Sequence, residues 1–233
     1  MREAAALRGV IFDLDGVLVT TDSLHYQAWK ELSDELGLEF NEEVNHRLRG
    51  VSRQQSLRNI YEHNGRPLPD AETFDAQCSR KNARYVELVK TMTPSAVLPG
   101  AVELLAALRS EGIRCAVASA SRNTPLVLEQ TNLAKHFDAV ADGNDVSRSK
   151  PDPEGFLLAA ERLGLAPGQC IGIEDAASGV DAIHNAGMAA VGIGEQAARA
   201  ERTVASVAEV TADLLRDIFA AWAHDERRED GAA

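Results

Sequence analysis

The sequence predicts an α/β fold: a Rossmann-like core on a parallel sheet, with an all-helical segment inserted after the first strand. Two observations carry this. Short apolar runs recur through most of the 233-residue chain and alternate with amphipathic helical patterns, the signature of βαβ units. Between about residues 20 and 92 that rhythm breaks, and helical periodicity persists with no visible strand.

Val10-Ile11-Phe12 is the first apolar run, a buried strand that delivers Asp13 at its C-terminal end. Asp22 or Ser23 then caps a helix carrying Leu24, Trp29, Leu32 and Leu36, which ends near Gly37. Further helical stretches run from Ser52 to Tyr61 and from about Asp70 to Val89. Pro94, Pro99 and Gly100 mark the return to α/β structure. Val102, Leu104, Leu105 and Leu108 share one helix face before Gly112, and the strand Ile113–Ala118 follows. Pro125 opens a helix bearing Leu126, Val127 and Leu128, ahead of a strand at Phe137–Val140. Phe156, Leu157, Ala160 and Leu163 form the next helix, ending at Gly164, and Cys170–Ile173 and Ala189–Ile193 are the last two strands. A final helix spans about Thr211 to Ala223, and the charged residues 224–233 are expected to fray. The expected domains are a core of residues 1–19 and 93–233 and a helical domain of residues 20–92.

Composition narrows the function. Apolar residues make up 45% and charged residues 26%, ordinary globular usage that supports a sizeable core without a disulfide or structural metal. A net charge of −12 argues against a nucleic-acid footprint, which needs a basic face. An anionic ligand must therefore meet a local basic patch. Cys78, Cys115 and Cys170 show no metal spacing; buried thiols in a reducing cytosol are the expectation. Met1 to Leu7 is too short and too charged for a signal peptide, and no run of about 18 apolar residues suggests a membrane span. A cytoplasmic monomer that touches neither nucleic acid nor membrane is expected.

Open parallel sheets bind ligands beyond the carboxyl ends of their strands. Here the strands end in Asp13, Ser119, Asp142 and Glu174-Asp175, so acidic and polar groups converge on one edge. The helical insert leaves the sheet at that edge, placed to act as a lid. A lone Asp-x-Asp at 13–15 is weak evidence, since any strand can end in an acidic turn. Its company changes the weight: Ser119 after a strand, Lys150 in Ser149-Lys150-Pro151, and Glu174-Asp175 after Ile171-Gly172-Ile173.

Phosphoryl transfer explains these residue types. A carboxylate repels an anionic phosphate unless a hard divalent cation with oxygen ligands offsets the charge, which suits magnesium. Asp13 is the candidate nucleophile, with Asp175 and Glu174 as metal ligands and Lys150 as the balancing cation. Ser119 and the N–H groups near residues 14–15 and 120 are placed to hydrogen-bond the transferring oxygens. Asp15, two residues past the nucleophile, is the candidate general acid/base. Arg53 on the insert, with Ser121, Arg122 and Asn123 on the core, offers donors for a second phosphate. The alternative is that Arg53 and Arg122 are solvated surface arginines.

Asp13-Leu14-Asp15-Gly16, Ser119, Lys150 and Glu174-Asp175 resemble the four motifs of the haloacid dehalogenase superfamily, and the helical insert resembles its C1-type cap. Gly50-Val51-Ser52-Arg53, Arg80-Lys81-Asn82 and Ser119-Ala120-Ser121-Arg122-Asn123 resemble the β-phosphoglucomutase branch of that superfamily. The resemblance implies interconversion of β-D-glucose 1-phosphate and glucose 6-phosphate through an aspartyl-phosphate and β-glucose 1,6-bisphosphate, with magnesium as cofactor. It implies metal ligation by Asp13, Glu174, Asp175 and the backbone carbonyl of Asp15. It also implies substrate contacts from Arg49, Gly50, Ala120, His25 and Lys81, the last two helping Asp15 into its working position. Sequence alone makes His25 a helix-face histidine and Lys81 a solvated charge.

This chain departs from the branch in three places. Arg49 stands where a lysine is usual, Thr20 where an acidic residue commonly precedes the hinge Thr21, and Ala176 where a serine is common. A sugar-phosphate phosphatase on the same scaffold is the alternative function, and a non-catalytic sugar-phosphate-binding protein a more distant one.

Overall fold

The computed structural model describes residues 6–48 and 51–230, with side chains as far as His224. A six-stranded parallel sheet has the order β3-β2-β1-β4-β5-β6. Its strands are β1 (Gly9–Phe12), β2 (Arg114–Ala118), β3 (Ala139–Ala141), β4 (Cys170–Glu174), β5 (Ala189–Ile193) and β6 (Arg202–Val204). The chain moves outward from β1 on one side through β2 and β3, and on the other through β4 to β6. The order reverses at β1, where Phe12 pairs with Val117 on one flank and Ile173 on the other. That reversal opens a crevice at the carboxyl ends of β1 and β4.

Side chains alternate across the sheet. Val10 and Phe12 join Val117, Ile171, Ile173 and Val191 under α5 (Ala101–Ser110) and the start of α9 (Ala212–Asp230). Ile11, Ala116 and Ala118 face the other way, against α7 (Glu154–Leu163) and α8 (Ala177–Asn185). Burial on both faces explains why these strands are continuous apolar runs.

The segment after β1 holds α1 (Asp22–Leu36), α2 (Glu42–His46), α3 (Arg53–His63) and α4 (Ala71–Val89). Trp29, Leu32, Phe40, Leu57, Ile60, Phe74 and Cys78 form a hydrophobic cluster of their own there. Ser52 and Asp70 cap α3 and α4 by accepting from the Gln55 and Thr73 N–H groups. The two chain crossings lie side by side, tied by Thr20 N to Ala96 O (3.2 Å) and Leu98 N to Leu18 O (2.9 Å). All three cysteines are buried and free. Among the described residues, no helix is long and apolar enough to cross a membrane.

Four elements differ from the expectation. Helix α2, starting from the Asn41 cap, has only five residues, too few to show a helical period. The edge strand β6, Arg-Thr-Val, is three residues long and largely exposed, so it has no apolar run. Helix α9 runs to Asp230, past the Ala223 end expected for it, and residues 231–233 of the segment expected to fray lie outside the described residues. The third strand begins at Ala139, and Phe137 packs edge-on against Phe12 at 6.0 Å.

Candidate active site

Asp13 extends the β1–β4 pairing by one bond, its N–H donating to Ile173 O (2.9 Å), and its carboxylate emerges over the crevice. The chain then turns tightly, with Gly16 N donating to Val19 O at 2.9 Å. Gly16 has φ +80°, and a β-carbon there would collide with the Asp175 carboxylate. The turn therefore needs glycine twice over, for its backbone angle and for the close approach of the loop after β4.

Lys150 reaches across from the loop before α7. Its Nζ makes ion pairs with Asp13 Oδ1 and Glu174 Oε1, all three side chains nearly dry. Burial alone would lower the Lys150 ammonium, but Asp13 and Glu174 push it up, so it stays charged. Glu174 is 1% exposed, and its Oε2 accepts from the Asp175 N–H (2.6 Å) and the Ala176 N–H (2.8 Å). It thus braces the loop that presents Asp175.

Oxygens of Asp13, Glu174 and Asp175 lie within 4.8 Å of one another. Burial pushes Asp13 up to about 7 against the pull of Lys150, with Glu174 adding to the rise. Burial and the charge of Glu174 push Asp175 up to about 8. Three crowded carboxylates beside one ammonium are short of positive charge. Hard oxygen donors in that deficit fit a divalent cation such as magnesium.

Asp15 points toward the start of the helical segment, where its Oδ1 accepts from the Thr21 hydroxyl. Its surroundings raise its carboxyl, mainly through burial. Next to it, His25 Nδ1 and Lys81 Nζ are 2.7 Å apart. His25 stacks on Tyr85 at 4.0 Å, and the Lys81 amine lies over the Tyr85 and Trp29 rings at 4.6 and 4.8 Å. Lys81 is 3% exposed, so it is no solvated charge. Burial holds both groups well below their ordinary values.

The run after β2 is folded by its own hydroxyls. Ser119 Oγ accepts from the Ser121 N–H and Ser121 Oγ from the Asn123 N–H, both at 3.2 Å. Gly143 packs so tightly on Ala120 O that a β-carbon would not fit. Arg122 Nε donates to Gly143 O (3.1 Å). Asn123 begins α6 (Thr124–Gln130), and its Nδ2 donates to Asn82 Oδ1 at 2.8 Å. Arg53 Nη2 donates to the same oxygen at 2.7 Å. Burial and the neighbouring Arg122 disfavour the Arg53 charge, so an anion there is welcome.

One cavity of about 540 Å³ collects these groups: Asp13, Asp15, Lys150 and Asp175 line it together with Arg53, Lys81, Ser121 and Asn123. Ser119, Ala120, Arg122, His25 and Glu174 line it too. Arg49 and Gly50 lie outside the described residues. Asn82, Trp29 and Asn45, for which the sequence suggests no role, also face the cavity. Asn82 belongs to the Arg80-Lys81-Asn82 run that resembles the branch, and that run is the signal the sequence offers for it.

A family model of haloacid dehalogenase-like hydrolases matches residues 7–187. The chain is 38% identical to "Beta-phosphoglucomutase" of Bacillus subtilis (strain 168), over 91% of this chain and 95% of that one. It is 32% identical to "Phosphorylated carbohydrates phosphatase" of Thermotoga maritima, over 78% and 82%. The crystal structure of beta-phosphoglucomutase from Clostridium difficile superposes with a TM-score of 0.89 at 34% identity, covering 93% of this chain and 98% of that chain. Fold, motif order and these likenesses agree: the chain belongs to the haloacid dehalogenase-like hydrolase family, in its β-phosphoglucomutase branch.

Proposed function

We propose that the chain is a phosphomutase interconverting β-D-glucose 1-phosphate and glucose 6-phosphate, with residues 1–19 and 93–233 as catalytic core and 20–92 as cap. The observation that carries this reading is the shared cavity. Arg53, Ser121 and Asn123 line the same space as Asp13, so a sugar can be held by one phosphate while the other reacts.

In this reading the phosphorylated Asp13 passes its phosphoryl group to the 6-hydroxyl of β-glucose 1-phosphate, giving β-glucose 1,6-bisphosphate. The bisphosphate turns round, and Asp13 Oδ attacks its 1-phosphate, releasing glucose 6-phosphate and restoring the aspartyl-phosphate. Asp15 takes the proton of the attacking hydroxyl and returns one to the departing sugar oxygen. Lys150, Ser119 and the N–H groups near residues 14–15 and 120 hydrogen-bond the transferring oxygens. Asp13, Glu174, Asp175 and the Asp15 carbonyl would hold magnesium, which when bound would supply the charge that lets a carboxylate approach a phosphate. His25 and Lys81 stand beside Asp15 to support its working position. Closure of the helical segment keeps water from the aspartyl-phosphate.

The name of the Thermotoga maritima relative favours a second reading, a sugar-phosphate phosphatase. Phosphorus NMR separates the two. Purified protein is given β-glucose 1-phosphate, magnesium and a trace of the bisphosphate. Glucose 6-phosphate accumulating without inorganic phosphate supports the mutase. Inorganic phosphate appearing in place of the isomer supports the phosphatase.

A further inference from the structure

Asn82 sits half-buried on α4 and lines the cavity. Its side-chain oxygen accepts two hydrogen bonds at once, from Arg53 Nη2 at 2.7 Å and from Asn123 Nδ2 at 2.8 Å. The donors come from different walls. Arg53 is the first residue of α3 in the helical segment, and Asn123 is the residue before α6 on the sheet side. One neutral oxygen therefore marks the point where a cap donor and a core donor converge.

We propose that Asn82 is a positioning residue of the distal phosphate site, holding Arg53 and Asn123 aimed at a common anion across the two walls. The proposal rests on the reading of Arg53 and Asn123 as ligands of the phosphate that is not being transferred. The residue type matters. Arg53 stands beside Arg122, and the two cations repel, so Arg53 needs an acceptor to keep its orientation. A carboxylate would hold it more firmly but would also neutralise the charge that a phosphate needs. An amide oxygen fixes the guanidinium and leaves its charge free. Phosphate then enters a site whose donors are already assembled, and less ordering remains to be done on binding.

Asn82→Ala and the isosteric Asn82→Asp test this beside Arg53→Ala and the double variant Arg53→Ala/Asn82→Ala. The readouts are KM for β-glucose 1-phosphate and the rate at which acetyl phosphate phosphorylates the protein. Asn82→Ala should raise KM roughly 5- to 30-fold, the effect expected when a charged hydrogen bond loses its alignment. Phosphorylation by the small donor, which has no second phosphate, should keep its wild-type rate and so report an intact fold. Asn82→Asp should raise KM at least as much, because a carboxylate pairs with Arg53 and repels the anion. The double variant should be no worse than Arg53→Ala alone, since Asn82 acts through Arg53. If Asn82→Asp restores wild-type KM, the residue is only a structural acceptor and the proposal fails. If Arg53→Ala raises KM and Asn82→Ala does not, the proposal again fails while the distal site stands. An unchanged KM in Arg53→Ala removes the distal site itself, and the proposal with it.

Discussion

The hydroxyl of Thr21 donates a hydrogen bond to Oδ1 of Asp15. Thr21 is fully buried and stands at the N-cap of α1, yet its side chain makes no capping bond. A threonine there ordinarily satisfies a helix N–H. Here the hydroxyl is committed to the proposed acid/base, which ties Asp15 to the segment leading into the helical insert. Asp15→Asn should still accept phosphate from acetyl phosphate, whose leaving group needs no proton. The phosphoenzyme should then persist, because an amide cannot take a proton from an attacking hydroxyl. Its decay should slow about 10²- to 10⁴-fold. Thr21→Val should slow it in the same direction, by about tenfold. Wild-type decay in Asp15→Asn places the acid/base elsewhere.

Asp175 and Asp13 share the electropositive deficit at the ends of β1 and β4. Asp175→Ala removes one oxygen donor while leaving the Lys150 pairs with Asp13 and Glu174 in place. The midpoint of magnesium activation should rise by tenfold or more, on the order of the loss when a metal-site partner is removed. An unchanged midpoint with full activity means that Asp175 is no ligand.

Gly179 lies in α8, and a β-carbon there would fall on the Glu174 carboxylate. By helix propensity alone, Gly179→Ala should stabilise the protein by roughly 1 kcal/mol. Packing predicts the reverse, because Glu174 must move and take the Lys150 pair with it. Denaturant unfolding should show a loss of about 1–3 kcal/mol, as for other overpacked sites, together with lower activity. A gain in stability with activity intact would falsify this packing.

Lys81 is buried against His25, Trp29 and Tyr85, and its ammonium is held well below its ordinary value of 10.5. Between the depressed folded value and 10.5 the unfolded chain binds more protons at this site than the folded protein. Stability from Lys81 therefore rises with pH across that window. Lys81→Met removes the slope. Relative to Lys81→Met, the wild type should gain stability as pH rises from 7 toward 10, measured by urea unfolding at each pH. A difference constant with pH means that Lys81 is charged in the fold.

Much of this site was legible because the chemistry sits at strand ends. Apolar runs of β1, β2 and β4 predicted Asp13, Ser119 and Glu174-Asp175 at one edge, and parallel-sheet topology did the rest. The starts of α3 and α4 near Ser52 and Asp70 were equally plain, whereas Asp22 and Ser23, expected to cap α1, lie inside it behind Thr21 at the N-cap. What stayed hidden depends on tertiary approach. Nothing in the sequence shows that Gly179 makes room for Glu174, or that Asn82 meets Arg53 and Asn123 from residues 29 and 41 positions away. Lys81 looked like a solvated charge because helical periodicity does not reveal that Trp29 and Tyr85 close over it. Strand β6 carries no apolar run and could not be found by pattern.

The most direct test of a two-phosphate site is a ratio: glucose 6-phosphate formed per inorganic phosphate released, in wild type and in Arg53→Ala. In the mutase reading the variant loses a charge-assisted contact to the phosphate not being transferred, roughly 30- to 150-fold in affinity for the sugar phosphate. Asp13 and its ion pair with Lys150 are untouched, so acetyl phosphate should still phosphorylate the protein. With the sugar held less often, more of the phosphoenzyme should pass its phosphate to water. The mutase reading predicts a high ratio in the wild type and a clear fall in Arg53→Ala. An unchanged ratio with unchanged sugar affinity contradicts it, placing Arg53 outside the substrate site and favouring the phosphatase.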